Sequence, residues 1–212
     1  MKILSISDKV VPQLYHPLVK ENFSEVDLVL ACGDLPYYYQ EFIVSMLDVP
    51  LLFVRGNHDP LSEVTESGPK DHPHGGTDLH RRTAHIGGYL FAGVEGCIRY
   101  RKNGDFQYTQ FEMWLHVLAL LPRLYFNRLR YGRYLDVLIT HAPPWGIHDQ
   151  SDYPHWGIKA FRWLIRKFQP AYHFHGHIHL YRPDMIAETR FQKTQVINTY
   201  GYRITRLDPP II

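Results

Sequence analysis

Short apolar runs that each end on a polar, chemistry-bearing cluster constrain this chain more than any other feature. Ile3–Ser7 ends at Asp8, Val26–Cys32 at Gly33-Asp34, and Leu51–Val54 at Arg55-Gly56-Asn57-His58-Asp59. Further along, Leu135–Thr140 ends at His141 and Tyr172–His175 at Gly176-His177-Ile178-His179. Segments of helix length, Tyr15–Phe23 and Tyr37–Leu47, separate the first three runs. Strands alternating with helices form βαβ units with parallel neighbours and right-handed crossovers. In such sheets ligands gather beyond the carboxyl ends of the strands, which is where the polar clusters fall.

The remaining segments extend the same α/β reading. A Gly/His/Pro-rich stretch from Ser62 to about Arg82 reads as a loop, and Thr83–Ile86 with Tyr89–Val94, split by Gly87-Gly88, as a hairpin. Phe106–Leu121 and Trp156–Phe168 have helix length. Val196–Tyr200 and Tyr202–Leu207 read as closing strands, antiparallel because only a turn separates them. No repeat or linker divides the chain, so one domain over 1–212 is expected.

Composition narrows the function classes. The chain is 45% hydrophobic with a net charge of only +2, so it can bury a core and lacks the excess of positive charge that bulk nucleic-acid binding requires. Two cysteines, Cys32 and Cys97, are too few for a disulfide framework, and no apolar run is long enough to span a bilayer. A cytoplasmic protein with no membrane partner is the expectation. The unusual figure is 14 histidines, because histidine is both the commonest metal ligand and the usual proton-transfer group.

The strand-end clusters offer oxygen and imidazole donors and no thiolate, a set suited to Mn²⁺, Fe, Zn²⁺, Ni²⁺ or Co²⁺. Each cluster alone is ordinary, since a Gly-Asp after a strand is usually a turn; all five in this order are not. His177 and His179 point the same way only if their turn is extended, and otherwise diverge, which could place them on two ions.

These motifs, with Gly56-Asn57-His58-Asp59, Thr140-His141-Ala142-Pro143-Pro144 and Gly176-His177-Ile178-His179 in order, resemble those of the calcineurin-like metallophosphoesterase superfamily, from Lys2 to about Tyr200. The resemblance implies a four-layer α/β/β/α sandwich and two divalent ions. Asp34 would bridge the ions; Asn57, His141 and His177 would hold one, Asp8 and His179 the other. His58 would serve the leaving group with Asp59 orienting it. The implied activity is hydrolysis of a phosphodiester or phosphomonoester, on a small phosphorylated substrate, by metal-activated water. One departure stands out: where the family has Asp-x-His, this chain has Asp8-Lys9-Val10. Valine ligates nothing, so the ion at Asp8 and His179 should be the weaker one, with His16 a conceivable substitute.

Arg99 and His155 are candidate substrate contacts, while Arg81-Arg82 read as a solvated pair. The 106–131 region mixes aromatics with Arg123, Arg128 and Arg130, which suits a core- or partner-facing helix with snorkelling arginines, or stacking on single-stranded nucleic acid. Two other functions therefore stand beside a hydrolase: a catalytically weak, metal- and phosphate-binding regulatory relative, and a nuclease.

Overall fold

The computed structural model describes residues 1–65, 68–182 and 184–210. Glu66 and Ser67, within the loop expected over 62–82, lie outside the described residues. Two large sheets carry the architecture. The first runs Gly201–Arg206, Lys2–Ser7, Leu28–Ala31, Leu51–Phe53, Gly76–Asp78, and only the Gly201–Arg206 edge is antiparallel. The second runs Glu188–Phe191, Thr194–Asn198, Tyr172–His175, Val137–Thr140, Tyr89–Val94, Thr83–Ile86, parallel within and antiparallel at both edges.

Alternation along the strands sorts the apolar residues into three cores, and these set the layers. Ile3, Leu28, Leu30 and Leu52 of the first sheet meet Phe91, Val137, Ile139 and Phe174 of the second. The opposite face of the first sheet, Leu4, Ile6, Val29 and Ala31, packs on Val19, Tyr39 and Ile43 from helices Val19–Asn22 and Tyr37–Leu47. The outer face of the second sheet, Ala92, Val94 and Leu138, packs on Met113, Val117, Leu120, Phe161 and Leu164 from helices Gln110–Tyr131 and Lys159–Phe168. The order is α/β/β/α, as expected. Because both faces of each sheet are covered, the central strands read as continuous apolar runs. Each fully buried Leu, Ile or Phe stabilises the sandwich by about 1.5–3 kcal/mol.

Several elements depart from the sequence reading. Tyr15–Phe23 forms only the single turn Val19–Asn22, because Pro17 disfavours helix at His16 and removes a donor. The long helix begins later and ends later than expected. Phe106 sits at φ 51, outside helical space, and Thr109 with Glu112 forms a capping box. The helix then passes through Pro122 to Tyr131, because Leu124 and Asn127 stay buried on the same face as Met113 and Val117. The last helix starts at Lys159, not Trp156. Inside the expected 62–82 loop, Gly76–Asp78 extends the first sheet beside Leu51–Phe53.

The closing strands do not pair with each other. Thr194–Asn198 lies in the second sheet and Gly201–Arg206 in the first, so Thr199 and Tyr200 cross between sheets. The Thr199 hydroxyl bonds Ser7 Oγ at 2.9 Å and the His175 carbonyl at 3.1 Å, tying together the strand ends that carry Asp8 and His177.

Candidate metal centre

The strand-end clusters meet at one edge of the sandwich, and two glycines let them approach. Gly33 has φ +90, and a Cβ there would lie 2.5 Å from the Gly56 nitrogen and 2.7 Å from His141 Nδ1. A Cβ at Gly56 would lie 2.0 Å from Asp34 Oδ1. No other residue fits either position without moving the site. Asp34 itself is left-handed, φ 58, which turns its carboxylate inward. His58 donates its backbone N–H to Asp34 Oδ1 at 2.8 Å.

Asp34, His141 and His177 offer ligand atoms that all lie within 4.8 Å of one another. His141 is fully buried; its Nδ1 is 2.8 Å from the Cys32 carbonyl, an arrangement that makes Nδ1 an N–H and leaves Nε2 as the nitrogen that would ligate a metal once it gives up its proton. That Nε2 lies 3.4 Å from Asp34 Oδ2, 3.0 Å from Asn57 Oδ1 and 3.2 Å from His177 Nδ1. The amide of Asn57 is oriented by donating Nδ2–H to the Tyr100 hydroxyl at 3.0 Å. Burial pulls the His141 imidazole down, but the Asp34 and Asp8 carboxylates outweigh it and lift it to about 9. Burial pushes the Asp34 carboxyl up, and His141 with the His58 amide outweighs that in turn, holding it at about 2. His177, buried and beside His141, drops to about 4 and is a neutral donor at pH 7. A buried carboxylate that draws a proton onto its neighbouring imidazole is a place where a cation is electrostatically favoured, so the donor set fits a mixed N/O metal.

The second half is looser. Asp8, at φ 61 with its carboxylate buried, accepts the His177 backbone N–H at 3.0 Å on both oxygens. His179 Nε2 is 3.7 Å from Asp8 Oδ1, and its side chain is 37% exposed. The turn between the two histidines is not extended: His177, at φ 68, faces His141, while His179 faces Asp8, Tyr181 and Tyr200. Val10 packs half-buried against the core of the first sheet. His16 is exposed and accepts the Leu18 N–H at 3.2 Å, so it supplies no substitute ligand in this structure.

Two further expectations need correction. Asp59 does not orient His58; its buried carboxylate accepts the backbone N–H groups of Asp34 (3.1 Å), Leu35 (2.8 Å) and Gly56 (2.7 Å). It holds together the two turns that carry Asp34 and Asn57, and burial with the Asp34 charge lifts it to about 7. Arg99 pairs with Glu112 at 2.9 Å, away from the cleft, while Tyr100 and Arg101 line the cleft beside Asp34, His58 and His155. His155 lines the same cleft, with its ring 5.3 Å from His177 and Nδ1 bonded to Asp152. Unforeseen is a histidine chain behind the centre. His148 Nδ1 lies 2.8 Å from His175 Nε2, and His173 Nε2 lies 2.8 Å from Thr140 Oγ1.

The model of the calcineurin-like phosphoesterase family matches residues 6–181. A UPF0046 protein of Caenorhabditis elegans is 46% identical over 44 residues, which are 21% of this chain and 15% of the worm protein, so the match spans a small part of that relative. The crystal structure of TT1561 of Thermus thermophilus superimposes with a TM-score of 0.62 at 15% identity, covering 94% of this chain and 89% of that one. This likeness shows the fold. An archaeal phosphodiesterase covers 98% of this chain and 100% of its own at 14% identity, with a TM-score of 0.41.

Proposed function

The chain belongs to the calcineurin-like phosphoesterase family, and from that premise we propose that it is a metal-dependent phosphoric ester hydrolase. The observation that carries this reading is the convergence of Asp34, His141 and His177 beneath an exposed His58. Asn57 completes the first donor set, and Asp8 with His179 forms a second, weaker one sharing Asp34. Divalent ions, Mn²⁺, Fe, Zn²⁺ or Ni²⁺, would supply positive charge for the phosphoryl oxygens and acidify a water.

The chain's own residues do the remaining work. His58 is the one exposed imidazole whose backbone is anchored to Asp34, so it stands at the cleft floor able to protonate a departing alkoxide, worth about 10²–10⁴-fold. Arg101 and His155 at the rim offer donors to the phosphoryl group and its substituent. Asp59 and Tyr100 position the others. The substrate in this reading is a small phosphodiester or phosphomonoester. Among the described residues no helix is long and apolar enough to cross a membrane. The two buried free thiols fit a reducing, cytoplasmic setting.

Hydrolysis of bis(p-nitrophenyl) phosphate with added Mn²⁺, alongside elemental analysis, tests the proposal. Turnover that tracks metal content supports it. Stoichiometric metal without turnover would favour the regulatory reading, for which the half-open Asp8/His179 pair is the supporting observation.

A further inference from the structure

The outer helical layer on the second sheet joins unpaired positive charge to exposed apolar side chains. Helices Gln110–Tyr131 and Lys159–Phe168 lie side by side, joined by Trp114 against Trp163. Six exposed cations, Arg123, Arg128, Arg130, Lys159, Arg166 and Lys167, project from them. The only carboxylate in the two helices is Glu112, and it is engaged by Thr109 and Arg99. None of the six cations makes an ion pair among the described residues. In a chain with a net charge of only +2, six of the 23 lysines and arginines stand on this face against a single, already engaged carboxylate.

Between the arginines runs an apolar crest. Phe111, Leu115, Leu118, Tyr125, Phe126 and Leu129 are 45% to 87% exposed. At 3.6 residues per turn they fall on one stripe of the long helix, directly opposite the buried Met113, Val117, Leu120 and Leu124. At ~200 Å² per fully exposed large side chain, the crest presents roughly 700 Å², more than the ~300–600 Å² of the largest patch on a typical monomer.

Charge complementarity decides what covers it. A second copy of the chain would set six unpaired cations of one protomer against six of the other. A lipid surface rich in anionic headgroups satisfies both features at once: the crest enters the headgroup–acyl boundary, and the flanking cations meet phosphates. We propose that this face docks the protein on an anionic bilayer, lying in its plane. This proposal departs from the expectation of no membrane partner. Gln110, at the start of the helix, donates to the Gly157 carbonyl at 2.9 Å, next to the loop that carries His155, so the docked face reaches the rim of the cleft.

Flotation with vesicles of phosphatidylcholine alone, and with about one-third phosphatidylglycerol, tests this on the full chain. Binding to the anionic vesicles only is expected. Leu118→Glu/Leu129→Glu should abolish it. Arg123→Gln/Arg130→Gln/Lys167→Gln, which keeps the crest, should weaken it roughly a hundredfold, about fivefold per cation. Circular dichroism melts confirm that each variant is folded, and the second set decides the matter if the first fails to fold. Absence of binding to either vesicle, equal binding to both, or charge-removal variants that bind like the wild type would each overturn the proposal. So would a wild-type dimer in sedimentation that Leu118→Glu/Leu129→Glu dissociates while vesicles go unbound, or displacement of anionic vesicles by single-stranded DNA that stacks on the crest.

Discussion

The two halves of the candidate centre share Asp34 yet are built differently. Around His141 every donor is locked: its Nδ1 faces a carbonyl, Asn57 is held by Tyr100, and Asp34 is pinned by the His58 amide. Around His179 the carboxylate of Asp8 is fixed by the His177 amide, but the imidazole is partly exposed and 3.7 Å away. A donor set already locked in place orders at less cost on metal binding than a half-exposed one, so affinity should follow the difference.

Asp34→Asn should have the largest effect, because it weakens both halves together: activity lost and metal reduced at both positions by elemental analysis. Two retained equivalents with near-normal turnover would end the dinuclear reading. His58→Ala should leave metal content near normal and lower turnover by roughly 10²–10⁴ for a poor leaving group, with a smaller loss for p-nitrophenolate. Equal losses for both substrates would take His58 out of the acid role.

Chelator titration separates the halves directly. His177→Ala and His179→Ala should each lower affinity about 10–100-fold at one position, and in the wild type one equivalent should leave well before the other. Simultaneous release would erase the asymmetry. Val10→His should strengthen the looser half by only about tenfold, the low end of that range, because Val10 is half-buried and a larger ring there costs about 1–3 kcal/mol. Unchanged metal retention would mean that position 10 cannot face the site.

The smallest effect concerns the metal-free protein and sets His141 against His173. His141 is raised to about 9, so its stabilisation is complete below its unfolded value near 6.5 and is lost as pH rises through 9. His173, fully buried, is lowered to about 3; its contribution is present above 6.5 and is lost as pH falls from there toward 3. Urea unfolding at pH 5, 7 and 9 should show losses on both sides of neutrality, on the order of 1 kcal/mol per pH unit for one such group. A flat profile would contradict both assignments.

Much of this is legible in the sequence alone. Tyr37–Leu47, Tyr172–His175 and the Thr83–Ile86/Tyr89–Val94 hairpin follow from local pattern alone, and their observed bounds coincide with the expected ones. Placement of Asp34, Asn57, His141 and His177 at one edge follows from their positions after parallel strands. What failed depends on contacts distant in sequence. Which of Arg99 and Arg101 reaches the cleft is set by Cys97–Ile98 pairing with Gln107–Tyr108, which turns Arg99 toward Glu112. The role of Asp59 rests on amides 24 and 25 residues upstream. The helix through Pro122 is retained by burial of Leu124 and Asn127, which outweighs the local cost of proline. Partner strands for Thr194–Asn198 and Gly201–Arg206 are likewise chosen by the sheets and not by the turn between them.

That last crossing has a mechanical consequence. Thr199 and Tyr200 act as a fulcrum between two stiff plates, placed beside the strand ends that carry Asp8 and His177. Any swing of the plates about this point would displace most the far edges, at Gly76–Asp78 in one plate and Thr83–Ile86 in the other. Leverage is least where Asp8 and His177 meet, so such a swing would alter their separation least.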